Sequence, residues 1–204
     1  MLDVPNKDRQ RERREATRQE ILAAAWDVAR EEGLAHITLR EVADRVGMRA
    51  PSLYSHFPAK NAIYDAMFGQ AWSEFLEVSL AADTPRRRPR TARAALRRYA
   101  RIFFDFAVDD LARHQLMNQR TIPGFVPSEQ SYAPALEVVR LLRERLASYG
   151  IDRDQDIDLF TAIVGGLVDG QLANDPGGVR YARLLDRAVD MYADNLGLSP
   201  KGQL

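Results

Sequence analysis

Helical periodicity, punctuated by glycine and proline, is the feature that most limits what this 204-residue chain can fold into. Ile21, Leu22, Ala25, Trp26 and Ala29 recur three and four apart, which makes one apolar helix face, and Gly33 ends it. Thr38-Leu39-Arg40-Glu41 reads as a capping box: the Thr38 hydroxyl accepts from the Glu41 amide, and the Glu41 side chain reaches back. The helix it opens buries Leu39, Val42, Ala43 and Val46, and stops at Gly47, where a left-handed cap is wanted. Pro51 starts a third helix, since a first-turn proline forfeits no helical bond, and Pro58 closes it after Phe57.

A fourth helix is expected over residues 61–80, with Ile63, Met67, Trp72, Phe75 and Leu76 inward. Asp83-Thr84-Pro85 through Pro89 breaks the pattern. Further helices are expected over residues 91–108, 110–120, 132–149, 155–172 and 179–196, separated by Pro123-Gly124, Pro127, Gly150 and Pro176-Gly177-Gly178. No alternating strand pattern and no internal repeat competes with this reading. The expectation is an all-α fold of about nine helices. Residues 1–60 would form an N-terminal arm and a three-helix domain, and residues 61–204 a C-terminal helical domain.

The chain has no cysteine, which excludes disulfides, thiolate metal sites and a cysteine nucleophile. Its longest apolar run, Ala162 to Val168, is far short of the ~20 residues of a membrane span. Met1 to Lys7 lacks the apolar stretch of a signal peptide, so a cytoplasmic protein without a membrane partner is expected. Net charge is zero, but its distribution is uneven. Lys7, Arg9, Arg11, Arg13, Arg14 and Arg18 crowd the N-terminus. Arg86, Arg87, Arg88, Arg90, Arg93, Arg97, Arg98 and Arg101 form a second block. Local potential rather than net charge steers a polyanion, although a solvated face explains the second block equally well.

Two short helices joined by a tight turn containing glycine form a helix-turn-helix, whose second helix enters the major groove. Arg49, Ser52, Tyr54, Ser55 and His56 are small or polar enough to meet bases and phosphates there. Leu53 and Phe57, four apart, anchor the helix to the core.

These residues carry a resemblance. Thr38-Leu39-Arg40-Glu41-Val42-Ala43-Asp44-Arg45-Val46-Gly47-Met48 followed by Ser52-Leu53-Tyr54-Ser55-His56-Phe57-Pro58-Ala59-Lys60 is similar to the N-terminal domain of the tetracycline-repressor (TetR) family. The resemblance runs from about Thr17 to Phe68, and beyond it only length and helix count agree. It implies that Thr38 touches phosphate, that Arg49, Pro51 and Ser52 face bases or their neighbours, and that Tyr54, Ser55, His56 and Lys60 hold the backbone. The basic stretch before Arg18 could then reach along the duplex as a flexible arm. Ala50 and Ala59 depart from the family's usual Gly, Ser or Thr, and Pro51 offers a base only apolar contact.

One half-site is read weakly by a single helix-turn-helix, so a homodimer is expected. The last two helices are its candidates: Ile163, Gly166 and Gly170 on one, Leu185, Val189 and Tyr192 on the other. The alternative is that this stripe is intrachain core. The family resemblance implies a four-helix dimer interface from these two helices. Trp72, Phe75, Tyr99, Phe103, Phe106, Phe125 and Tyr132 are either core or the wall of an apolar ligand chamber, with His114, Asn118, Asp169 and Asn174 as polar partners. The resemblance implies such a chamber between the middle helices and the eighth.

Two tempting sites fail. Asp152, Asp154, Asp156 and Asp158 alternate as in a calcium loop, but Ile157 replaces the turn glycine and Ile163 the closing glutamate. Their place at a helix N-terminus is explained by the macrodipole. Asp186, Asp190 and Asp194 share a helix face, solvated and partly paired with Arg183 and Arg187. No metal, cofactor or catalytic role is expected. The implied function is a ligand-responsive repressor released from a palindromic operator by a small-molecule effector. An activator, a corepressor-dependent regulator and a helical binder without DNA remain as alternatives.

Overall fold

A computed structural model describes residues 4–82, 84 and 88–198. Asp83, Pro85, Arg86 and Arg87 of the expected break and basic block lie outside the described residues, as does the side chain of Lys7. The described residues are helical and contain no strand. The elements are α1 (Val4–Glu32), α2 (Leu39–Val46), α3 (Ala50–Tyr54), α4 (Lys60–Ala82), α5 (Ala92–Asp109), α6 (Leu111–Asn118), α7 (Glu129–Ala147), α8 (Asp154–Asn174) and α9 (Leu185–Asn195). The expected number and order of helices are observed.

The differences have local causes. α1 begins at Val4, so the basic stretch expected as a flexible arm is helical. Thr38 caps α2 with its hydroxyl 3.0 Å from the Glu41 amide, but Glu41 does not reach back. Its carboxylate accepts instead from Arg45, which also meets Glu31 at 2.8 Å and Glu32 at 3.0 Å. Gly47 takes φ +72°, the left-handed cap expected of it. α9 starts six residues later than expected, after a 3-10 turn at Ala182–Leu184. The buried Gln171 side chain accepts from the amides of Tyr181 and Ala182, at 2.9 and 3.2 Å, which diverts them from a helical ladder.

The chain forms two compact units. The first takes the chain up to Gln70 together with Gln115–Tyr132; the second takes Ala71–His114 and the chain from Ala133 on. The division falls inside α4, and a later segment belongs to the first unit. In the first unit, Ile21, Leu22, Ala25 and Val28 of α1 are buried with Val42 and Ala43 of α2, Leu53, Phe57 and Ile63. Asp65 of α4 accepts from the Ser128 amide at 2.6 Å and from the hydroxyls of Ser128 and Ser131, each at 2.8 Å, which holds the start of α7.

The second unit buries one apolar cluster from α5, α7, α8 and α9, including Leu96, Phe104, Leu146, Phe160, Val168 and Val189. Arg93 of α5 is 8% exposed and pairs with Asp190 and Asp194, while Arg97 meets Asp190 at 2.8 Å. Arg101 completes this ladder with Asp186 at 3.5 Å. The α9 aspartates thus pair with α5, not with Arg183 and Arg187, and these arginines of the second basic block are neutralised within their own unit.

Candidate nucleic-acid interface

α3 is a five-residue helix with Arg49 as its N-cap residue and Pro51 in its first turn. Leu53 is fully buried and Phe57 is 1% exposed, so the helix is pinned from behind. Arg49, Pro51, Ser52, Tyr54 and Ser55 are left exposed on the other side, with Tyr54 at 52%. The helix ends at Tyr54, so Ser55 and His56 occupy the turn that follows rather than a last helical turn. The Ser55 hydroxyl donates to the Ser52 carbonyl at 2.7 Å.

That turn is clamped by α1. Arg14 donates to the Ser55 carbonyl at 3.0 Å, and Arg18 to the His56 carbonyl at 2.6 Å. The Arg18 guanidinium also lies over the Phe57 ring, 4.2 Å from its centre. These carbonyls lie in the turn just past the C-terminal end of α3, where cations are favoured. Sequence patterning missed this role for Arg14 and Arg18, because it depends on which face of α1 meets α3.

Thr38 is exposed at the start of α2, with its hydroxyl committed to the cap. The Lys60 ammonium donates to the Ala35 carbonyl at 3.0 Å and lies 5.2 Å from the Tyr64 ring centre. Two of its three N–H groups are left for an anion. His56 is half-buried, and its Nδ1 is buried without a partner among the described residues, so the ring offers an anion less than an exposed histidine would.

The residues expected to wall a chamber are shared between the two units. Phe75 packs edge-on against Phe103 at 5.4 Å and at a tilt against Phe106 at 5.0 Å, and Trp72 joins Phe75 at 6.2 Å, all within the second unit. His114, 3% exposed, sits 2.9 Å through Nε2 from Asp169 in the same unit. Phe125 belongs to the first unit instead, where it packs on Tyr64 and Phe68. Asn118 is exposed there. Tyr99 lines a different opening, a cleft of about 260 Å³ with Leu80, Arg88, Leu141, Arg145 and Tyr149 around it.

The expected dimer stripe is largely core. Leu185 and Val189 are fully buried and Tyr192 is 3% exposed, all in the second unit's own cluster. The Tyr192 hydroxyl donates to the Asp156 carbonyl at 2.6 Å, and burial pushes its pKa up to about 12, with the Asp156 charge adding to the shift. Gly170 owes its lack of a side chain to a neighbour within the chain: a Cβ there would lie 2.6 Å from the Tyr181 ring. Ile163 packs partly into the same core. Gly166 remains on the surface with open space above it, on a face shared with Leu159 and Ala162. Met191 of α9 is 64% exposed.

No cluster of acidic or histidine side chains among the described residues could hold a metal ion. The aspartates before and within α8 are used locally, Asp156 with Arg153 at 2.7 Å and Asp154 with Arg143 at 3.1 Å. No described helix is long and apolar enough to cross a membrane.

Residues 21–67 match the family described as bacterial regulatory proteins, tetR family. Over 47 residues the chain is 40% identical to the tetracycline repressor protein class A from transposon 1721 of Escherichia coli, a match covering 23% of this chain and 22% of that repressor. The fold as a whole is similar to solved structures. A protein with unknown function from Rhodococcus sp. RHA1 aligns with TM-score 0.73 and 19% identity, over 89% of this chain and 94% of that one. A transcriptional regulator FadR from Bacillus subtilis, in complex with stearoyl-CoA, aligns with TM-score 0.64 and 16% identity, over 85% and 96%. A TetR variant from Acinetobacter baumannii AYE, in complex with minocycline, aligns with TM-score 0.57 and 20% identity, over 87% and 94%.

Proposed function

We propose that this chain, whose residues 21–67 match the tetR family of bacterial regulatory proteins, is a homodimeric transcriptional repressor of that family, released from its operator by a small molecule. The observation that carries the DNA-binding part is α3 itself. Its exposed Arg49, Ser52 and Tyr54 stand on a helix too short to be stable alone, held by buried Leu53 and Phe57 and by the α1 arginines. Rigid support of this kind suits a reading head, since nothing need be ordered on contact. Arg49 and Ser52 would read base edges; Thr38, Pro51, Tyr54, Ser55, His56 and Lys60 would position the duplex.

Release requires the second unit to favour a state that grips DNA poorly. α4 supports this reading, because it begins at Lys60 in the first unit and ends at Ala82 in the second. A ligand that shifts α4 would carry Lys60 and the turn at Ala35 with it. The coupling needed is typically about 1–3 kcal/mol. FadR with stearoyl-CoA and the Acinetobacter protein with minocycline support an effector that is partly apolar and partly polar. The cleft of about 260 Å³ beside Tyr99 matches that character, with Leu80, Leu141 and Tyr149 beside Arg88 and Arg145. The phenyl cluster at Phe75, Phe103 and Phe106, with His114 and Asp169, would be an alternative surface for the effector.

Dimerisation is proposed through the open face of α8 at Leu159, Ala162 and Gly166 together with Met191 of α9. The test begins with duplexes selected from a random-sequence library by the full chain. A sequence-specific complex of two subunits per duplex, lost in Tyr54→Ala and Ser52→Ala, supports the reading. Failure to select any sequence rejects it. Compounds found by thermal shift should then weaken that complex; if every stabilising compound leaves operator affinity unchanged, effector release is wrong.

A further inference from the structure

The last turn of α4 is closed by cations from α5 and α7, all within the second unit. Arg145 of α7 donates to the Ser79 hydroxyl at 2.8 Å and to the Ser79 carbonyl at 3.3 Å. Arg98 of α5 donates to the Ala82 carbonyl. Both carbonyls are among the last four of the helix, which have no amide of their own helix to accept from. Ser79 is 8% exposed, so Arg145 meets a buried polar group. The Arg145 guanidinium also lies over the Tyr99 ring, 5.7 Å from its centre. Arg145 and Tyr99 both line the cleft of about 260 Å³, and none of its lining residues comes from α8. It is therefore a different place from the chamber expected between the middle helices and the eighth. Leu80, Leu141 and the Tyr149 ring give it apolar wall, and the Tyr149 hydroxyl donates to the Pro89 carbonyl at 2.7 Å. Arg88 adds a second positive charge. The lining acid, Glu144, accepts from Arg140 one turn earlier on α7, which balances its charge.

We propose that this cleft binds a small organic carboxylate, whose anion takes Arg145 in exchange for Ser79 and whose apolar body lies against Leu80, Leu141 and Tyr149. This deepens the reading of the cleft as an effector site, and rests on that reading for any consequence at the operator. On Ser79 the arginine fork meets two neutral acceptors. A carboxylate offers two charged oxygens at the spacing of the fork, and a bond charged on both sides is the stronger one. Arg145 is half-buried, so its attraction for an anion is screened less than at an open surface. Apolar wall beside the cations favours an acid with a ring or a short branched chain over a bare inorganic anion. The volume of about 260 Å³ lies below the ~300–1,000 Å³ of pockets for drug-sized ligands, so the occupant is smaller than stearoyl-CoA or minocycline. The exchange leaves the Ser79 carbonyl without its cation, and the end of α4 then rests on Arg98 at Ala82.

The test uses the full chain and three probes at neutral pH: 3-phenylpropanoate, its neutral amide 3-phenylpropanamide, and inorganic phosphate. Titration calorimetry should find the carboxylate bound about tenfold or more tighter than either the amide or phosphate. Arg145→Lys keeps the charge but loses the fork, and should weaken carboxylate binding about fivefold while leaving the amide unchanged. Ser79→Ala removes a competitor for the fork, and should tighten carboxylate binding about threefold, again with the amide unchanged. A residue that only supports the fold would not tighten binding when truncated. The site is overturned if carboxylate and amide bind alike, or if phosphate binds as tightly as the carboxylate. It is also overturned if Ser79→Ala weakens carboxylate binding or leaves it unchanged, and this variant decides alone if Arg145→Lys does not fold. Operator affinity, measured on a duplex selected by the chain, separates this site from the effector reading. A carboxylate that binds with these preferences and leaves operator affinity unchanged supports the site and rejects release through it. An operator complex that responds to other compounds, with no carboxylate preference in the cleft, overturns the site and leaves release standing.

Discussion

Arg18 donates from Nη1 to the carbonyl oxygen of His56 at 2.6 Å, joining α1 to the turn that ends α3. The bond satisfies a carbonyl just past the helix end with a cation and fixes the exit of the helix proposed to read DNA. Arg18→Met keeps the apolar stem and removes both this bond and the contact with Phe57. A charge-assisted, part-buried bond contributes about 1–3 kcal/mol, so denaturant unfolding should show a loss of that order. Operator affinity should fall in parallel, because the turn carrying Ser55 and His56 is released. Unchanged stability would show that Arg18 is incidental.

Phe57 closes the first unit behind α3 and is 1% exposed. Phe57→Ala should cost about 3–5 kcal/mol through lost burial and the cavity left behind. Thermal unfolding should record it, and DNA binding should vanish with the fold. Tyr54→Ala, at a side chain 52% exposed, should leave the melting temperature nearly unchanged while abolishing binding. The pair separates support from contact.

Gly47 takes φ +72° at the end of α2, with open space where a Cβ would stand. Gly47→Ala should therefore cost about 1–2 kcal/mol from backbone strain alone, with no clash to relieve. Gly170→Ala differs, because its Cβ would lie 2.6 Å from the Tyr181 ring and must displace it. Calorimetry should rank the two, and a stabilising Gly47→Ala would contradict the left-handed cap.

Asp190 is held below the ordinary carboxylate range chiefly by its bond to Arg97, with Arg93 second, against the opposing cost of burial. A carboxyl group with a lowered folded value stabilises the folded chain when ionised. That contribution is complete above the ordinary value of about 4 and drains away as pH falls through the lowered one. Wild-type stability should thus drop on acidification below about pH 4 more steeply than that of Asp190→Asn, which lacks the proton-linked loss. Urea midpoints measured from pH 6 to pH 2.5 would check this; parallel curves would refute it.

Gly166 stands on the open face of α8, whereas Val189 is fully buried in the second unit. Gly166→Arg should yield a folded monomer in light scattering and weaken operator binding. Val189→Arg should instead unfold the second unit. A Gly166→Arg protein that remains dimeric would move the interface elsewhere.

Much of the fold was legible because its signals are local. The Thr38 cap, the left-handed Gly47, Pro51 in a first helical turn and the buried pair Leu53 and Phe57 each follow from neighbours within a few residues. Partner choice over long sequence separations was not legible. Glu41 was expected to cap its own helix, but Arg45 draws it away while also meeting Glu31 and Glu32. Leu185, Val189 and Tyr192 form an apolar stripe that core and interface would share equally, and only packing against α5 and α8 distinguishes them.

The amino-acid sequence by itself determined the helical class, the order of the helices and the frame of the helix-turn-helix, since periodicity, caps and breakers act through bonds four residues apart or less. Tertiary structure decided where the charges are spent. Arg93 and Arg97 are spent on Asp190, about ninety residues away, while Arg14 and Arg18 are spent on the turn after α3. A charge has the same sign in either place. What separates the places is whether folding brings an oxygen within about 3 Å, and spacing along the chain does not encode that distance.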